Sequence, residues 1–450
     1  MSHSRRDFLR TGAGAALGAT AWELLAARLG LVGAYASTEA ASDYRALVCV
    51  FLGGGNDPWN TVVNLDEYAS YAQVRGSLAL PQASLAPVQP LGGGLFGLHP
   101  GLQPLAALFS SGRLALVANV GTLARPLTRA EYLAHPEWRP PYLFSHSDQV
   151  RQWQGGSSAP LLPTGWGGRT GDQTGELNPP GAFPMVASIS GAPLFGIGDT
   201  SRPLELTSSG SVGRQGFSSS ASSQIRYNAL RQLLTLDRER TFVRAAGDVM
   251  ARAIRADQQL TAALAQAPAL QTVFPATSIG NQLRMVARIV SVRQPLAVQR
   301  QIFFCSLGGV DTHSGQLASQ ADLLAQLGGA LQAFHSATVE LGVSEGVTTF
   351  TSSDFGRTYK PNGTGTDHAW GTCQLVLGGA VRGGRFYGQW PTLALGGPDD
   401  SGSSGRFIPT TSVDQFAATL ARWYGLAAAD VPYVFPNLPH FDPADLGFML

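Results

Sequence analysis

Short, continuous apolar runs alternate along the chain with segments of helical spacing, and this alternation constrains the fold most. The runs are RALVCVFL, RLALVANVG, RQIFFCSL, GVTTFTSS and CQLVLGG. Runs of this length and composition are typical of buried strands in a parallel sheet. Between them lie segments with apolar residues at three- and four-residue intervals, such as GLQPLAALFSSG, SIGNQLRMVARIVSVR and VDQFAATLARWYG. The order predicts an α/β fold with a doubly wound, mostly parallel sheet flanked by helices.

The middle of the chain interrupts this alternation. A segment rich in serine and glycine, residues 207–224, precedes a long stretch of helical spacing over residues 224–269. We therefore expect a helical insertion near residues 207–275. With 44% hydrophobic and 14% charged residues in 450, the chain can bury a sizeable core. A single domain over residues 37–450 is predicted, although two closely joined lobes would also fit this length.

The N-terminus has the three parts of an export signal in order. SRRDFLR is a twin-arginine sequence, a weakly apolar stretch follows it, and Ala34-Tyr35-Ala36 fits a small-x-small cleavage site. An amphipathic N-terminal helix is the alternative interpretation. The pattern predicts a signal peptide over residues 1–36, export by the bacterial twin-arginine translocase, and a periplasmic or secreted mature protein.

The charge balance of the mature chain argues against polyanionic or membrane partners. Removal of residues 1–36 takes four basic and two acidic residues from totals of 31 and 30, which leaves a formal charge of −1. This value gives no electrostatic basis for binding nucleic acid or an anionic membrane. The mature chain also lacks an apolar run of about eighteen residues, so we expect no stable membrane insertion.

The three cysteines each lie inside an apolar run. Cys49, Cys305 and Cys373 occur in ALVCVFL, IFFCSL and CQLVLGG. This placement predicts buried strand thiols rather than disulfides or metal ligands. The absence of CxxC and CxxCH patterns argues against haem and iron–sulfur centres.

Polar residues gather in loops directly after the predicted strands. The segment TSSDFGRTYKPNGTGTDHAWG supplies Asp354, Arg357, Asp367 and His368 after one apolar run. Loops at strand ends carry the chemistry of many α/β enzymes. The sequence therefore predicts a polar site there.

Two other strand-to-loop junctions have the same character. LGGVDTHSGQ offers Asp311 and His313, which point to one face in an extended segment. LGGGNDPWN offers Asp57 and Asn60 after the first strand. The alternatives are that His313 caps the following helix and that Asp57 and Asn60 shape a turn before Pro58. We expect the junctions to form one site.

The residue types in these loops favour a metal-dependent reaction. Carboxylates with imidazoles suit Zn²⁺ or Mn²⁺, and Ca²⁺ or Mg²⁺ are alternatives. Such an ion would activate water or a hydroxyl for attack on an ester, while Arg357 could bind the anionic group. FSHSDQ offers the hydroxyls of Ser145 and Ser147 beside His146, although a helix N-cap fits that segment equally well. His99 in GLHPGL is interpreted as a cap or turn residue.

Together the segments resemble a known bacterial family. The order GGGNDPWNTVV, FSHSD, GGVDTHSGQ, TSSDFGRT, GTDHAWG and LGGAVRGGRFYG resembles the domain of unknown function family 1501, over most of the mature chain. That family is similar to the alkaline phosphatase and sulfatase superfamily. The resemblance implies an alkaline-phosphatase-like fold with metal ions at the carboxyl edge of the sheet.

The resemblance also implies roles for individual residues. Asp57 and Asp354 would bind one metal, and Asp311, His313 and His368 the other. Ser145 would be the nucleophile. From residue type and position, independently of the resemblance, Arg357 would bind the anion and Asn60, His146 and Asp367 would support the site. We therefore expect an exported, metal-dependent hydrolase or transferase acting on phosphate-like or sulfate-like esters of a small molecule or polymer.

Two departures from the superfamily motifs weaken one of the expected metal sites, and Phe355 favours an alternative function. Phe355 stands where the motif usually has a metal-binding histidine, and Asp311 and His313 are closer in sequence than the common D-x-x-x-H spacing. No cysteine or FSHSD serine is followed by the x-Pro-x-Arg residues that formylglycine sulfatases require, which disfavours ordinary sulfatase chemistry. The alternative is a non-catalytic exported binding or assembly protein that keeps the fold.

Overall fold

A nine-stranded mixed sheet forms the centre of the computed structural model, which describes residues 43–157, 162–209 and 220–450. The strand order is β11-β5-β10-β9-β1-β8-β6-β7, with β12 beside β5, and a separate sheet has the order β2-β4-β3. The strands are β1 (Arg45–Gly53), β2 (Val62–Asn64), β3 (Ala86–Val88), β4 (Phe96–Leu98), β5 (Leu114–Gly121), β6 (Val186–Ser188), β7 (Leu204–Glu205), β8 (Arg300–Gly308), β9 (Val347–Ser353), β10 (Thr372–Gly378), β11 (Phe386–Tyr387) and β12 (Thr411–Ser412).

The large sheet is mostly parallel, as the sequence predicts. The central strand β1 pairs in parallel with β8 on one side and β9 on the other. Only β10 runs against its neighbours among the described strands of this sheet, because it is antiparallel to both β5 and β9. Strands β1, β5, β8 and β9 therefore end at the same edge.

Helices cover the sheet and connect its strands. They are α1 (Pro58–Thr61), α2 (Tyr68–Arg75), α3 (Gln103–Ser110), α4 (Arg129–Ala134), α5 (His146–Gly155), α6 (Trp166–Gln173), α7 (Ala221–Leu233), α8 (Thr241–Leu264), α9 (Ser278–Ser291), α10 (Gln316–Glu340), α11 (Val413–Tyr424) and α12 (Val431–Val434). Helices α7 and α8 lie within the stretch for which the sequence predicts a helical insertion. None of the described helices is long and apolar enough to cross a membrane.

The alternation of side chains along β1 explains the two layers of helices. Val48 and Val50 belong to the core cluster that also contains residues of α3, α9 and α10. Leu47 and Phe51 point the other way, into the cluster with residues of α5, α6 and α11. Because successive strand residues face opposite sides, a continuous apolar run requires cover on both faces. The predicted doubly wound architecture is thus confirmed.

The described residues also settle one smaller prediction and leave another untouched. The three cysteines, Cys49, Cys305 and Cys373, are buried free thiols, as their apolar surroundings predict. The predicted signal peptide, residues 1–36, lies outside the described residues.

Candidate metal centre

Loops after three strands bring histidines and carboxylates together at the carboxyl edge of the sheet. Asp311 and His313 follow β8, and His368 lies in the loop between β9 and β10. His146 is the first residue of α5, in the connection that leaves β5. Strands that end at one edge deliver their following loops to one place, which is why residues distant in sequence meet here.

The four side chains point their polar atoms at one another. The Nε2 atom of His368 lies 3.1 Å from Nε2 of His146 and 2.9 Å from Nε2 of His313. It also lies 3.4 Å from Oδ1 of Asp311. Candidate ligand atoms of His146, Asp311 and His368 all lie within 4.8 Å of one another. We refer to His146, Asp311, His313 and His368 as the centre.

The centre is open to solvent. Its side chains are between 24% exposed, for His368, and 45% exposed, for His313. A substrate could therefore reach these atoms without a large rearrangement of the fold.

Neighbouring acceptors fix the tautomers of two of the histidines. Nδ1 of His146 lies 2.7 Å from Oδ2 of Asp354, and Nδ1 of His368 lies 2.8 Å from the carbonyl oxygen of Phe144. Carboxylates and carbonyls only accept, so each Nδ1 must carry the proton. In the neutral rings, the Nε2 lone pairs of His146 and His368 consequently face each other.

The third histidine has a carboxylate beside each ring nitrogen. Nδ1 of His313 lies 3.3 Å from Oδ1 of Asp367, and its Nε2 lies 3.2 Å from Oδ1 of Asp311, so either nitrogen can carry the proton. The Nε2 lone pairs of His146 and His368 converge with the carboxylate of Asp311, and a bound cation or a proton on one imidazole would offset their repulsion. Histidines whose second nitrogen donates to a carboxylate or a carbonyl are typical of metal sites. This donor set suits Zn²⁺ or Mn²⁺.

A buried arginine holds Asp311 in place. Nη1 of Arg357 donates to Oδ1 of Asp311 at 2.6 Å and to the carbonyl oxygen of Gly54 at 3.1 Å. Its other donors contact Thr366, and the side chain is fully buried. Burial raises the pKa of Asp311, but the hydrogen bond from Arg357 and the charges of Arg357, His313 and His146 together lower it overall. Asp311 is therefore held as the carboxylate.

Phe355 packs beneath two imidazoles of the centre. Its ring centroid lies 4.7 Å from that of His146 and 4.7 Å from that of His368, and the side chain is fully buried. A Cβ atom at Gly55 would lie 2.5 Å from this ring, and Gly55 has a φ of +84°, so glycine is required there. Phe355 thus supports the ligand rings from below and offers no ligand itself.

The chain on either side of His368 is folded into a tight loop. Backbone pairing joins Arg357 to His368, with hydrogen bonds from Gly356 to Trp370 and from Ala369 to Gly356. Burial lowers the pKa of His368, and the charges of His146 and Arg357 lower it further. The imidazole is therefore neutral near pH 7, as a metal ligand must be.

A strained segment supplies the acceptor for His368. Phe144 has a φ of 70°, which is uncommon for a residue with a side chain. Arg406 lies over its ring, 4.7 Å from the centroid, and donates from Nε to the carbonyl oxygen of His368 at 2.9 Å. Strained backbone of this kind is concentrated at functional sites.

Asp57 lies apart from the four side chains of the centre. Its carboxylate accepts from the Trp59 N–H at 2.9 Å and forms a buried ion pair with Arg75, and Gln316 also donates to it. Asp57 is the N-cap of α1. Asn60 is buried and accepts from Arg75 at 3.2 Å. These contacts match the structural interpretation of LGGGNDPWN, and the metal-binding role of Asp57 stays a prediction.

The FSHSD segment begins α5. Ser145 is at the N-cap position, but its Oγ contacts Oδ2 of Asp148 at 2.5 Å and Oγ of Ser147 at 3.2 Å rather than a helix N–H. The nucleophilic role of Ser145 stays a prediction.

The sequence predicts only a supporting position for His146, whereas the structure places its imidazole in the centre. Conversely, Asp354 was expected to bind metal, and its contacts are with His146 and the Gly54 N–H, 3.0 Å from Oδ1. The signal for His146 in the sequence was its place after β5, whose carboxyl end shares the edge with β8 and β9. The sequence predicts that strand, but no local pattern links the loop after it to Asp311 and His368.

A histidine and carboxylate cluster at the carboxyl edge of a doubly wound, mostly parallel sheet defines an α/β protein with a candidate metal centre. The chain belongs to the protein of unknown function family DUF1501, whose family model matches residues 44–430. This confirms the resemblance drawn from the motifs. No curated protein matches the sequence.

Solved structures with similar folds are remote. A sulfatase, PsFucS1, from Pseudoalteromonas sp. is 8% identical with a TM-score of 0.32, covering 86% of this chain and 68% of its own. The phosphonate monoester hydrolase of Agrobacterium radiobacter is 9% identical with a TM-score of 0.32, covering 87% and 77%. The lipoteichoic acid synthase LtaP from Listeria monocytogenes is 8% identical with a TM-score of 0.28, covering 77% and 66%. Similarity this low transfers neither an activity nor a residue role.

Proposed function

We propose that the chain is an exported, metal-dependent hydrolase or transferase that acts on phosphate-like or sulfate-like esters at the centre. The convergence of the Nε2 atoms of His146, His313 and His368 on Asp311 carries this proposal, because one divalent ion could bind all four side chains. The ester class rests on the superfamily that the sequence motifs resemble. The open position of the centre supports access for a substrate.

The residues of the centre would bind the metal ion. His146, Asp311, His313 and His368 would hold a divalent ion, with Zn²⁺ or Mn²⁺ favoured by the donor set. A bound ion would supply Lewis-acid polarisation of the ester and activation of a nucleophile.

Other side chains would keep the donors aligned. Asp354 and Asp367 would orient His146 and His313 through their Nδ1 atoms. Arg357 would hold Asp311 through its guanidinium. The guanidinium would then lie near the anionic group of the substrate, but it would not be free to bind that group.

Two nucleophiles are compatible with this centre. Ser145 directly precedes His146, and its hydroxyl contacts Asp148, which could accept its proton. Water at the centre is the alternative. Ser145→Ala separates them, because it would abolish turnover in the first case and leave most of it in the second.

Turnover of defined esters tests the proposed activity. Purified mature protein would be incubated with phosphate monoesters, phosphate diesters and sulfate esters, with Zn²⁺ or Mn²⁺ added in turn. We expect one ester class to be turned over and the rate to fall at least 100-fold in His368→Ala. Asp322→Asn, an exposed change on α10, is the matched control and should retain the full rate.

A non-catalytic binding protein is the second candidate, and Phe355 favours it. The ring of Phe355 packs beneath His146 and His368, at the motif position that usually holds a metal-binding histidine. Phe355 therefore offers no donor for a second ion on that side. Such a protein would bind metal, stay folded and turn over none of the esters. The same panel therefore separates the two candidates.

Export through the twin-arginine translocase is part of the proposal. It rests on SRRDFLR and the cleavage site after Ala36, both outside the described residues. Arg5→Lys with Arg6→Lys should retain the protein in the cytoplasm with an uncleaved N-terminus. Unchanged secretion and processing of that variant would contradict this route.

A further inference from the structure

A polar cleft separate from the centre lies beside the segment that connects β5 to α5. It has a volume of about 500 Å³ and is lined by Ala124, Arg125, Glu137, Trp138, Arg139 and His440, among others. This volume is within the range of small-molecule sites. None of these residues belongs to the centre or supports it directly.

The two arginines of the cleft are held by aromatic rings. The guanidinium carbon of Arg125 lies 3.9 Å from the centroid of Trp138, against which His135 also stacks at 3.8 Å. Arg139 lies over Tyr132 at 4.2 Å and donates from Nε to the Tyr132 carbonyl oxygen at 2.7 Å. Arginines fixed in this way lose little side-chain entropy when they bind an anion.

The charges that line the cleft are predominantly positive. Glu137 is the one carboxylate among the lining residues, all of which are described, and it pairs with His135 at 3.0 Å. Nδ1 of His440 lies 2.9 Å from the carbonyl oxygen of Ala124, so Nδ1 donates and Nε2 is left for other contacts. Arg125 and Arg139 supply two positive charges against the one carboxylate of Glu137, so the lining has a net positive charge.

The chain limits how far the cleft can lie from the centre. Pro141 lines the cleft and precedes His146 by five residues, which span at most roughly 18 Å when fully extended. In addition, the ring of Tyr132 lies 5.9 Å from the ring of Trp370, two residues after His368. A substrate of two or three sugar-sized units has the length to span this distance.

We propose that the cleft binds a sulfate or phosphate group of the substrate other than the one that reacts. Planar guanidinium groups recognise such tetrahedral oxyanions through paired N–H donors. The enzyme would then select substrates that carry several anionic groups over those with a single ester. The identity of the ligand as substrate rests on the proposed function, whereas anion binding by the cleft does not.

Binding of two defined polyanions to metal-free protein tests this proposal. Calorimetric titration would use sucrose octasulfate and inositol hexakisphosphate, with sucrose and myo-inositol as neutral counterparts. The protein would be the mature chain, stripped of metal by chelation and then dialysed. We expect one equivalent of at least one polyanion to bind and both neutral compounds to remain unbound. The difference between the two polyanions would show whether sulfate or phosphate is preferred.

Variants locate the binding. Arg125→Met with Arg139→Met should weaken it at least tenfold, while Arg252→Met with Arg255→Met, which removes two exposed charges from α8, should change it less than twofold. Arg125→Met alone should weaken binding about threefold and replaces the double variant if that one unfolds. Binding of neither polyanion, equal weakening in both double variants, or unchanged affinity in the cleft variants would overturn the proposal.

Failure of the cleft and failure of the centre give different results. His368→Ala removes a residue of the centre and should leave polyanion binding within twofold of the wild-type value. If the centre binds no metal, the cleft would still bind the polyanion. If the cleft proposal is wrong, metal binding and ester turnover would persist in the Arg125 and Arg139 variants.

Discussion

Asp354 and His146 are joined by a 2.7 Å contact between the carboxylate Oδ2 and the imidazole Nδ1. Asp354 is buried, and the Gly54 N–H donates to its other oxygen. One carboxylate therefore links Gly54, the residue directly after β1, to a histidine of the centre. A carboxylate in this position sets the tautomer of the ring and raises its basicity as a ligand.

Replacing Asp354 should weaken metal binding without removing a ligand. Asp354→Asn keeps the shape of the side chain but loses its negative charge, so the affinity for Zn²⁺ should fall about 10- to 100-fold. Competition with a chromophoric chelator measures this affinity. Asp322→Asn, with the same chemical change on the surface of α10, should match the wild type. Equal affinities in the wild type and Asp354→Asn would show that this contact does not support the centre.

Asp57 provides the contrast, because its contacts are structural. Asp57→Asn leaves the buried charge of Arg75 without its partner, which should lower the free energy of unfolding by about 3–5 kcal/mol. Metal affinity of the folded protein should remain unchanged. Urea unfolding and the chelator competition measure the two quantities. A loss of metal with little loss of stability would instead support the ligand role predicted from the sequence.

Phe355 should affect both packing and metal binding. Phe355→Leu removes the ring that contacts His146 and His368 and should cost roughly 1 kcal/mol of stability. The loosened imidazoles should also bind Zn²⁺ more weakly. Phe109→Leu, a change at a buried core residue of α3, should cost similar stability and leave metal affinity intact. Identical metal affinities in the two variants would contradict the supporting role of Phe355.

His99 should make the fold sensitive to acid. Burial lowers the pKa of His99 to about 4, and its Nδ1 accepts the Gly101 N–H at 3.0 Å as a helix cap. Above the unfolded pKa of about 6.5 the ring is neutral in both states, so its contribution to stability is fully present. As pH falls from 6.5 to 4, His99 takes up a proton in the unfolded chain but stays neutral in the folded chain. The free energy of unfolding therefore falls by roughly 3 kcal/mol.

A variant at position 99 isolates this effect. His99→Asn keeps an acceptor for Gly101 but cannot titrate, so its free energy of unfolding should fall less steeply between pH 6.5 and 4. Urea unfolding at several pH values measures the difference in slope. Parallel pH profiles for the wild type and His99→Asn would rule out His99 as the cause.

The sequence was sufficient for the sheet because its strands are buried on both faces. Runs such as ALVCVFL are apolar throughout, and segments with helical spacing follow them. This pattern predicts strands that helices cover on both faces. The cap role of His99 was also predictable, since the residue directly precedes Pro100 and a helix start. In both cases the information is local in the chain.

The division of roles within the site was not predictable, because it depends on pairings between distant residues. Whether Asp57 faces a cation or Arg75 is decided by the fold of α2, and no spacing in LGGGNDPWN reveals it. Similarly, Asp354 and His146 are 208 residues apart and meet only after β5 and β9 join the same sheet. Carboxylates and histidines at strand ends identify the location, whereas tertiary contacts decide which of them are ligands.

Metal titration of the stripped mature protein tests the central claim most directly. The account predicts one tightly bound Zn²⁺ or Mn²⁺ per chain in the wild type, with binding lost in His146→Ala and in His368→Ala while both variants stay folded. A folded wild-type protein that binds neither ion stoichiometrically, or variants that bind the ion as tightly as the wild type does, would contradict it.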